Sequence, residues 1–410
     1  PGVLDTVTPM TVIESTLTAD EQRVSDLVEH LIESKPPSTT SPTEFLAAQF
    51  DLGLAWVHFD EGLGGLGLNP KLQRMVNDRV RAEGGPSSMA RNPIGYGMCG
   101  PTVHVWGSDE QKQRYLRPLF TCEEIWCQLF SEPGSGSDFA GLSAKGARDG
   151  DEWIVNGQKV WTTLAHVSRW GLLVVRTDPE AVKHAGLTAF VVDMQADTVE
   201  TRPLRQMTGE AEFNEVYFTD TRIPHRELLG NPGDGWRVSL TTLMNERTSI
   251  GGSIPAQGSG TIADLLTVWA DVSPERKDAA ARDRVAALWI RAEVHRLTNI
   301  RANQNRRLGD PGPEGSIGKM ESANLNKAIY EAMVHLMGAD GMLYGSYEMV
   351  RPEMTMGADS LQKKFLRSRA NSIEGGTTEV MQNILGERVL GLPGDVRVDR
   401  DVPWSQVPRN

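Results

Sequence analysis

Apolar residues at helical spacing dominate the first third of the chain. Between residues 18 and 120 they recur at intervals of three or four positions, between turns that contain Gly and Pro, as in Leu27, Leu31, Phe45, Leu46 and Phe50. Side chains at such intervals share one face of a helix and can be buried together. The pattern predicts an N-terminal helical domain, residues 1–125.

The pattern changes near Trp126, where short apolar runs alternate with polar turns. Trp153-Ile154-Val155 and Val160-Trp161 flank Asn156-Gly157, a dipeptide that type I′ turns prefer, so a hairpin is predicted here. Further strands are predicted at 172–175, 187–192 and 213–218. Strands at these short intervals are typical of a sandwich or barrel, which predicts a middle β domain, residues 126–235.

Helical spacing returns from Trp236 onward. The apolar positions that carry it, with one Arg, are Leu240, Leu243, Met244, Arg247, Met320, Ala323, Ala328, Ala332 and Leu336. The Gly- and Pro-rich segment 308–316 is expected to join two helices. We predict a C-terminal four-helix bundle with a tail, residues 236–410, and an α+β fold class for the whole chain.

Composition narrows the function classes. The 410 residues are 39% hydrophobic and carry a formal net charge of −12, which argues against a sequence-independent grip on nucleic acid. The three cysteines show no metal-binding or disulfide spacing, and the histidines form no H-x-x-x-H pair, so no metal site is expected. With no transmembrane run and no export signal, a cytoplasmic protein is predicted.

The most informative run is Ser131-Glu132-Pro133-Gly134-Ser135-Gly136-Ser137-Asp138. By itself it is typical of a surface loop, because small residues allow the backbone to turn. The same residues can also present N–H and hydroxyl groups to an electron-rich ligand. Preceded by Leu129-Phe130, the run closely resembles the first signature of the acyl-CoA dehydrogenase family, and the order helix, sheet, helix agrees with it.

That resemblance implies FAD as cofactor. It places Ser131 in a hydrogen bond to the flavin, Gln128 and Phe130 along the ring, and Ser137 toward the substrate. Trp161-Thr162-Thr163 resembles the family tripeptide in which the aromatic packs on the isoalloxazine and the threonine, here Thr163, approaches its N5 atom. Taken alone, a Trp on a strand is more often a core residue.

Two carboxylates compete for the role of catalytic base. Glu246, followed by Arg247, matches the base of the isovaleryl- and long-chain branch, and the apolar neighbours Leu240, Leu243, Met244 and Ile250 predict a buried helix face. Arg247 would help to orient the substrate. In the larger branch the base precedes a Gly-Thr pair, but here Gly375 stands at that position and Glu374 is one residue out of register. We favour Glu246 and keep Glu374 as the alternative.

Other family contacts are kept only in part. Thr377 and Glu379 resemble residues that bind the flavin ribose and pyrophosphate at a helix N-terminus. The glycine skeleton around Gly338 is a degraded form of the signature that contacts the FAD of another subunit. Where the family has an Arg and a Phe for that purpose, residues 273–278 form a charged turn, expected to be a solvated surface.

The resemblance implies α,β-dehydrogenation of an acyl-CoA to a trans-2-enoyl-CoA, with electrons passed to an electron-transferring flavoprotein. It also implies a homo-oligomer, a dimer or tetramer, or else a heteromer. A non-catalytic partner subunit of a heteromeric dehydrogenase remains open, because the second signature is degraded. A flavin oxidase or monooxygenase of the same fold also remains open, since sequence does not decide how oxygen reaches a flavin.

Overall fold

The structure is a computed structural model, and the chain forms two compact units, Pro1–Ser87 and Ser88–Asn410. It describes residues 17–251, 254–307, 314–353, 360–394, 396, 399 and 401–408, and the side chains of 246–251, 306, 307 and 314 lie outside this description. The α+β fold class is confirmed. The domain boundaries at 125 and 235 stay a prediction.

The first unit is helical. It contains α1 (Ala19–Ser34), α2 (Pro42–Asp51) and α3 (Gln73–Ala82). The first two helices begin with reciprocal capping boxes, made by Thr18 with Glu21 and by Ser41 with Glu44. The spacing noted in the sequence puts apolar residues of all three helices into one core, namely Val24, Val28, Leu31, Phe45, Val76 and Val80.

The second unit begins with three helices and continues into a sheet. The helices are α4 (Ser88–Arg91), α5 (Gly100–Trp106) and α6 (Asp109–Phe120). The strands are β1 (Trp126–Leu129), β2 (Lys145–Asp149), β3 (Glu152–Thr163), β4 (Trp170–Arg176), β5 (Leu187–Asp193), β6 (Val199–Pro203), β7 (Phe213–Pro224) and β8 (Leu228–Leu229). They form one sheet in the order β6-β7-β3-β2-β4-β5-β8, and β1 pairs with β4 in parallel.

The hairpin predicted at Asn156-Gly157 is wrong. β3 runs through these residues without turning, and the turn lies earlier, at Gly150 between β2 and β3, where φ is +62°. Gly157 instead sits at a bulge opposite β7, and a Cβ at this position would lie 2.5 Å from the Cβ of Ala144. Packing against Ala144, and not turn geometry, therefore explains this glycine.

The remaining helices form the bundle. They are α7 (Gly235–Gly251), α8 (Thr261–Asp271), α9 (Ala279–Arg307), α10 (Glu314–Met337), α11 (Leu361–Arg367) and α12 (Thr378–Ile384). Apolar residues of α8, α9 and α10 share one core, as the sequence spacing predicts. Of the predicted connection 308–316, residues 314–316 belong to α10 and 308–313 lie outside the described residues. No helix in the described part of the chain is long and apolar enough to cross a membrane.

Gly157→Ala tests the close approach of β3 to Ala144. We expect the substitution to lower the free energy of unfolding by roughly 1–3 kcal/mol, because the methyl group overpacks the site at a φ that L residues rarely adopt. Urea denaturation measures the loss. Gly315→Ala, in a helix with open space around it, is the control and should be neutral or slightly stabilising. Equal stability of both variants would contradict the packing explanation.

Candidate active site

Three hydrogen bonds join β3 to residues 130–132 of the signature loop. Lys159 Nζ donates to the carbonyl of Phe130 at 3.0 Å and to Glu132 Oε1 at 2.8 Å. Between them, the amide of Val160 donates to the carbonyl of Ser131 at 2.9 Å. Ser131 is thus bonded directly to β3, and Trp161 directly follows the bonded Val160. We call this set, 130–132 with 159–160, the Lys159 clamp.

Glu132 is the acceptor at the centre of the clamp. Its Oε2 accepts from the amide and hydroxyl of Ser143, at 2.7 and 2.9 Å, and its Oε1 also accepts from the amide of Ala144 at 2.9 Å. Burial works to raise the pKa of Glu132, but Lys159 and these donors outweigh it and hold the pKa below its ordinary value. Burial lowers the pKa of Lys159 against the pull of Glu132. The buried charge pair of Lys159 and Glu132 therefore fixes the signature loop against β3.

Trp161 presents its indole from a strained position. It lies in a β-bulge between Lys159 and Thr162, with φ of +60°, and its side chain is 57% exposed. A non-glycine residue in the left-handed region costs free energy and points to a functional constraint. The indole lies nearly perpendicular to the ring of Phe213, with centroids 5.8 Å apart, and the exposed part of Trp161 can contact a planar ligand.

Asn214 stabilises the β-bulge that contains Trp161. It is fully buried, and its amide nitrogen donates to the carbonyl of Thr162 at 3.1 Å and to Nδ1 of His166 at 3.2 Å. Its Oδ1 accepts from Arg351 at 2.8 Å. Nε2 of His166 contacts the carbonyl of Pro352 at 3.0 Å, and burial, then the charge of Arg351, lowers the pKa of His166. A neutral His166 can accept from Asn214, so the C-terminal residues 351–352 help to fix Trp161.

The alternative base, Glu374, is engaged in a salt bridge. Arg367 binds both of its oxygens, at 3.1 and 2.8 Å, and Asn371 donates to one of them at 2.9 Å. Arg367 also lies 3.6 Å from Glu212 and 5.9 Å from the ring of Phe213, the residue that Trp161 contacts. Arg367 thereby connects the loop around Glu374 to Trp161. Both oxygens of Glu374 therefore already accept hydrogen bonds.

The rest of that loop suits close approach of a ligand. Gly375 and Gly376 both have positive φ, +64° and +97°, and Lys319 donates to the carbonyl of Gly376 at 2.5 Å. Thr377 caps α12 by accepting from the amide of Val380 at 3.2 Å, and Glu379, in the first turn, is exposed. The helix start that the sequence predicts for Thr377 and Glu379 is present.

Helix α7 carries the favoured base, but the side chains of Glu246 and Arg247 lie outside the described residues. The predicted burial of Leu240 and Met244 is wrong, since they are 41% and 66% exposed. The buried face instead contains Ser239 and Thr242, whose hydroxyls bond to carbonyls of their own helix. Because these hydroxyls are hydrogen-bonded, the polar face of α7 can be buried. The apolar residues Leu240 and Met244 are exposed in a single chain.

Aromatic contacts join α7 to the signature loop. Phe130 packs on Phe139 at 4.9 Å, and Phe139 stacks with Trp236, at the start of α7, at 6.0 Å. Ser137, two residues before Phe139, is exposed, and Gln128 is half-buried in β1. The aromatic contacts therefore connect Phe130 to the start of α7.

Gly338 makes its contacts elsewhere, at the C-terminal end of α10. Arg276 donates to the carbonyls of Leu336 and Met337 there, and a Cβ on Gly338 would lie 2.9 Å from its guanidinium. Residues 273–276 and 278 are exposed, as expected for a solvated turn, and Arg276 in addition binds the end of α10. This arginine terminates a helix whose final carbonyls have no partners within it.

Two buried hydroxyls fit a further ligand at this site. Oγ1 of Thr162, beside Trp161, and Oγ1 of Thr378, beside Thr377, have no hydrogen-bond partner among the described protein atoms. A buried polar group without a partner costs about 1–3 kcal/mol, so such groups are usually satisfied by another molecule. They flank both places where the sequence predicts cofactor contacts. Together with the exposed indole of Trp161, these two hydroxyls suit a planar ligand that has polar groups at its edges.

Sequence reasoning missed the residues that support the site. Lys159 and Glu132 are adjacent to predicted contacts, and a lysine in a strand otherwise facing a core was the signal available for the pair. Arg367 and Asn214 gave no such signal, since an Arg on a helix and an Asn on a strand are common. One partner of each, Glu212 for Arg367 and Arg351 for Asn214, lies more than 100 residues away in the chain.

Comparison with known proteins covers most of the chain. Residues 21–123, 127–221 and 233–390 match the family models for the acyl-CoA dehydrogenase N-terminal, middle and C-terminal domains. Acyl-CoA dehydrogenase IpdE1 of Mycobacterium tuberculosis is 34% identical over 354 residues, 84% of this chain and 86% of the relative.

Two solved structures show the same fold. The Tcur3481-Tcur3483 steroid ACAD, at 22% identity, matches with a TM-score of 0.70 over 93% of this chain and 99% of that one. The ChsE4-ChsE5 complex from Mycobacterium tuberculosis, at 23% identity, matches with a TM-score of 0.67 over 93% and 100%.

Lys159→Met tests the clamp. We expect the free energy of unfolding to fall by about 3–5 kcal/mol, because the substitution leaves the carboxylate of Glu132 buried without its countercharge. Arg222→Met removes an exposed arginine that pairs with Asp149 and Glu152 in the same sheet, and it should cost at most about 1 kcal/mol. Urea denaturation compares the two. Similar losses in both variants would mean that the buried pair has no special role.

Proposed function

Because the chain belongs to the acyl-CoA dehydrogenase family, we propose that it removes the α and β hydrogens of an acyl-CoA with Glu246 as the base, giving a trans-2-enoyl-CoA. FAD is the cofactor of this family and, when bound, accepts the β-hydride. The observation that supports this choice best is the pairing of Glu374 with Arg367, because both oxygens of the competing carboxylate already accept hydrogen bonds.

The choice of Glu246 also follows from the helix that bears it. Position 246 comes four residues after Thr242 and seven after Ser239, two buried residues of α7, and residues at these spacings share one helix face. α7 is anchored by Thr242 to Thr102 at 2.9 Å and by Thr241 to Trp106 at 2.9 Å. A base must be held at a fixed distance from the carbon that it deprotonates. A helix fixed at two points meets that need better than a loop.

The site must also stabilise the enolate charge that develops on the thioester oxygen. The amide of Glu374 already donates to the carbonyl of Ala370 at 2.9 Å, so we assign the donor role to the amide of Gly375. Lys319 and the Arg367–Glu374 pair hold this peptide in place. Trp161, Thr163, Ser131 and Phe130 are assigned to the flavin ring, and Thr377 and Glu379 to its ribose and pyrophosphate.

The substrate is proposed to be an acyl-CoA with a bulky acyl group. Gly375 stands where the larger branch of the family has a glutamate and carries no side chain there, and one solved structure with the same fold is that of a steroid ACAD. An electron-transferring flavoprotein is proposed as the electron acceptor. A panel of straight, branched and ring-bearing acyl-CoAs tests the acyl group, and preference for short straight chains would contradict it.

Anaerobic flavin bleaching by that panel tests the mechanism. With the best substrate, Glu246→Gln should slow bleaching by roughly 100- to 10,000-fold, because the α-proton has no acceptor. Glu374→Gln is the matched variant and should slow bleaching far less than Glu246→Gln, because it weakens the contacts with Arg367 and Asn371 that support the Gly375 peptide but leaves the proton acceptor in place. The reverse order of rates would make Glu374 the base.

Two other functions give distinct results in the same experiment. A protein that takes up no FAD would be a non-catalytic partner subunit, the alternative that the altered surroundings of Gly338 favour. Rapid hydrogen peroxide release in air would indicate an oxidase.

We propose a homo-oligomer built on α9. Ile290, Val294 and Leu297, at i, i+4 and i+7, are 50–58% exposed and form an apolar stripe, as on helices that pack against a partner. Val294→Glu should lower the mass measured by light scattering, whereas Thr267→Glu, at an exposed position of α8, should not. A wild-type monomer would contradict the proposal, and association only with a second dehydrogenase chain would make it a heteromer.

A further inference from the structure

Residues beyond the bundle pack on the β domain. The amide of Trp404 donates to the carbonyl of Ala181 at 3.0 Å, and that of Ser405 donates to the carbonyl of Pro179 at 2.8 Å. Val182 and Pro403 form a β-bridge. We call Asp399 with residues 401–408 the Trp404 strap. It lies outside the segment that matches the family's C-terminal domain, which ends at residue 390.

Trp404 covers a buried arginine. The indole is 8% exposed, and the guanidinium of Arg176 lies 4.1 Å from the centre of its ring. Arg176, 3% exposed, donates to the carbonyl of Ala140 at 2.6 Å, of Leu142 at 3.1 Å and of Lys183 at 3.0 Å. A guanidinium stacked on an aromatic face is held in plane and loses less freedom for each bond that it makes. Trp404 therefore positions the guanidinium of Arg176, and this guanidinium positions residues 140–142 through its hydrogen bonds.

Asp399 reaches the same loop through a shared lysine. Lys183 Nζ lies 2.5 Å from Asp399 and 2.7 Å from Asp138, the residue after Ser137. Burial works to lower the pKa of Lys183, and the two carboxylates outweigh it and raise the pKa. The lysine stays charged and holds one carboxylate from the strap and one from the signature loop.

We propose that the Trp404 strap positions the loop of residues 137–142 and thereby sets the affinity for the acyl-CoA without taking part in the chemical step. The proposal rests on the assignment of Ser137 to the substrate side. Both routes, Trp404 through Arg176 and Asp399 through Lys183, end on backbone or side chains of this one loop. A loop that loses these supports samples other conformations, and binding then includes the cost of ordering it.

Hydrogen exchange and kinetics of the FAD-loaded enzyme test the proposal together. In Trp404→Ala, exchange of the peptide covering 135–144 should accelerate about tenfold or more, because its supports become intermittent. KM should rise about fivefold or more with kcat within about twofold of wild type, since loop ordering affects ground and transition states alike. Asp399→Asn should give smaller changes in the same direction.

Two control variants separate positioning from general loss of packing. Trp404→Phe keeps an aromatic face over Arg176 and should restore exchange and KM. Trp269→Ala removes another half-buried tryptophan, which lies under Lys277 in the bundle, and should leave exchange at 135–144 unchanged. If Trp404→Ala does not fold, Asp399→Asn and Trp404→Phe still report on the two routes.

Two results would overturn the proposal. One is fast exchange of residues 401–408 in the wild-type protein, which would mean that the strap is not docked. The other is unchanged exchange at 135–144 and unchanged KM in Trp404→Ala and Asp399→Asn. If no acyl-CoA bleaches the wild-type enzyme, the proposed function fails, whereas the exchange data still decide the role of the strap.

Discussion

The buried pair of Lys159 and Glu132 is the interaction on which the site depends. A lysine with no exposed surface is costly, and its cost is met only by a carboxylate that accepts several bonds in fixed directions. The directions of these hydrogen bonds matter more for the site than their contribution to stability. They give Ser131, in the loop after β1, and Trp161, on β3, a single relative placement before any ligand binds.

Trp161 shows what this rigidity makes possible. A bulky aromatic at φ +60° would relax in a free strand, but here the bulge is fixed on one side by Lys159 and on the other by Asn214. Asn214 in turn depends on Arg351 from a distant segment. The strain is thus supported by both the sheet and the C-terminal part of the chain, so the placement of Trp161 depends on correct folding of both.

The sequence predicts the fold class well because helical and strand spacing are local signals. Strands around 172–175 and 187–192 and the helix from Trp236 are all present. The hairpin at Asn156-Gly157 is wrong because a local turn signal yielded to packing against Ala144, a contact that no local window contains. The same limit explains the site. Contact residues such as Ser131 and Thr377 lie in recognisable motifs, whereas Arg367 acts through partners that only the folded chain brings near. The assigned roles of the motif residues stay predictions.

The Trp404 strap has a consequence for biosynthesis. The loop that it supports is made more than 250 residues before Trp404, yet its final anchor arrives only when residues 399–408 have left the ribosome. Until then Arg176 lacks its aromatic cover and Lys183 has one carboxylate fewer. A chain cut short before Asp399 would carry every residue of the three family domains and still have an unfinished loop. The loop of residues 137–142 therefore gains its last supports only after residues 399–408 have been synthesised.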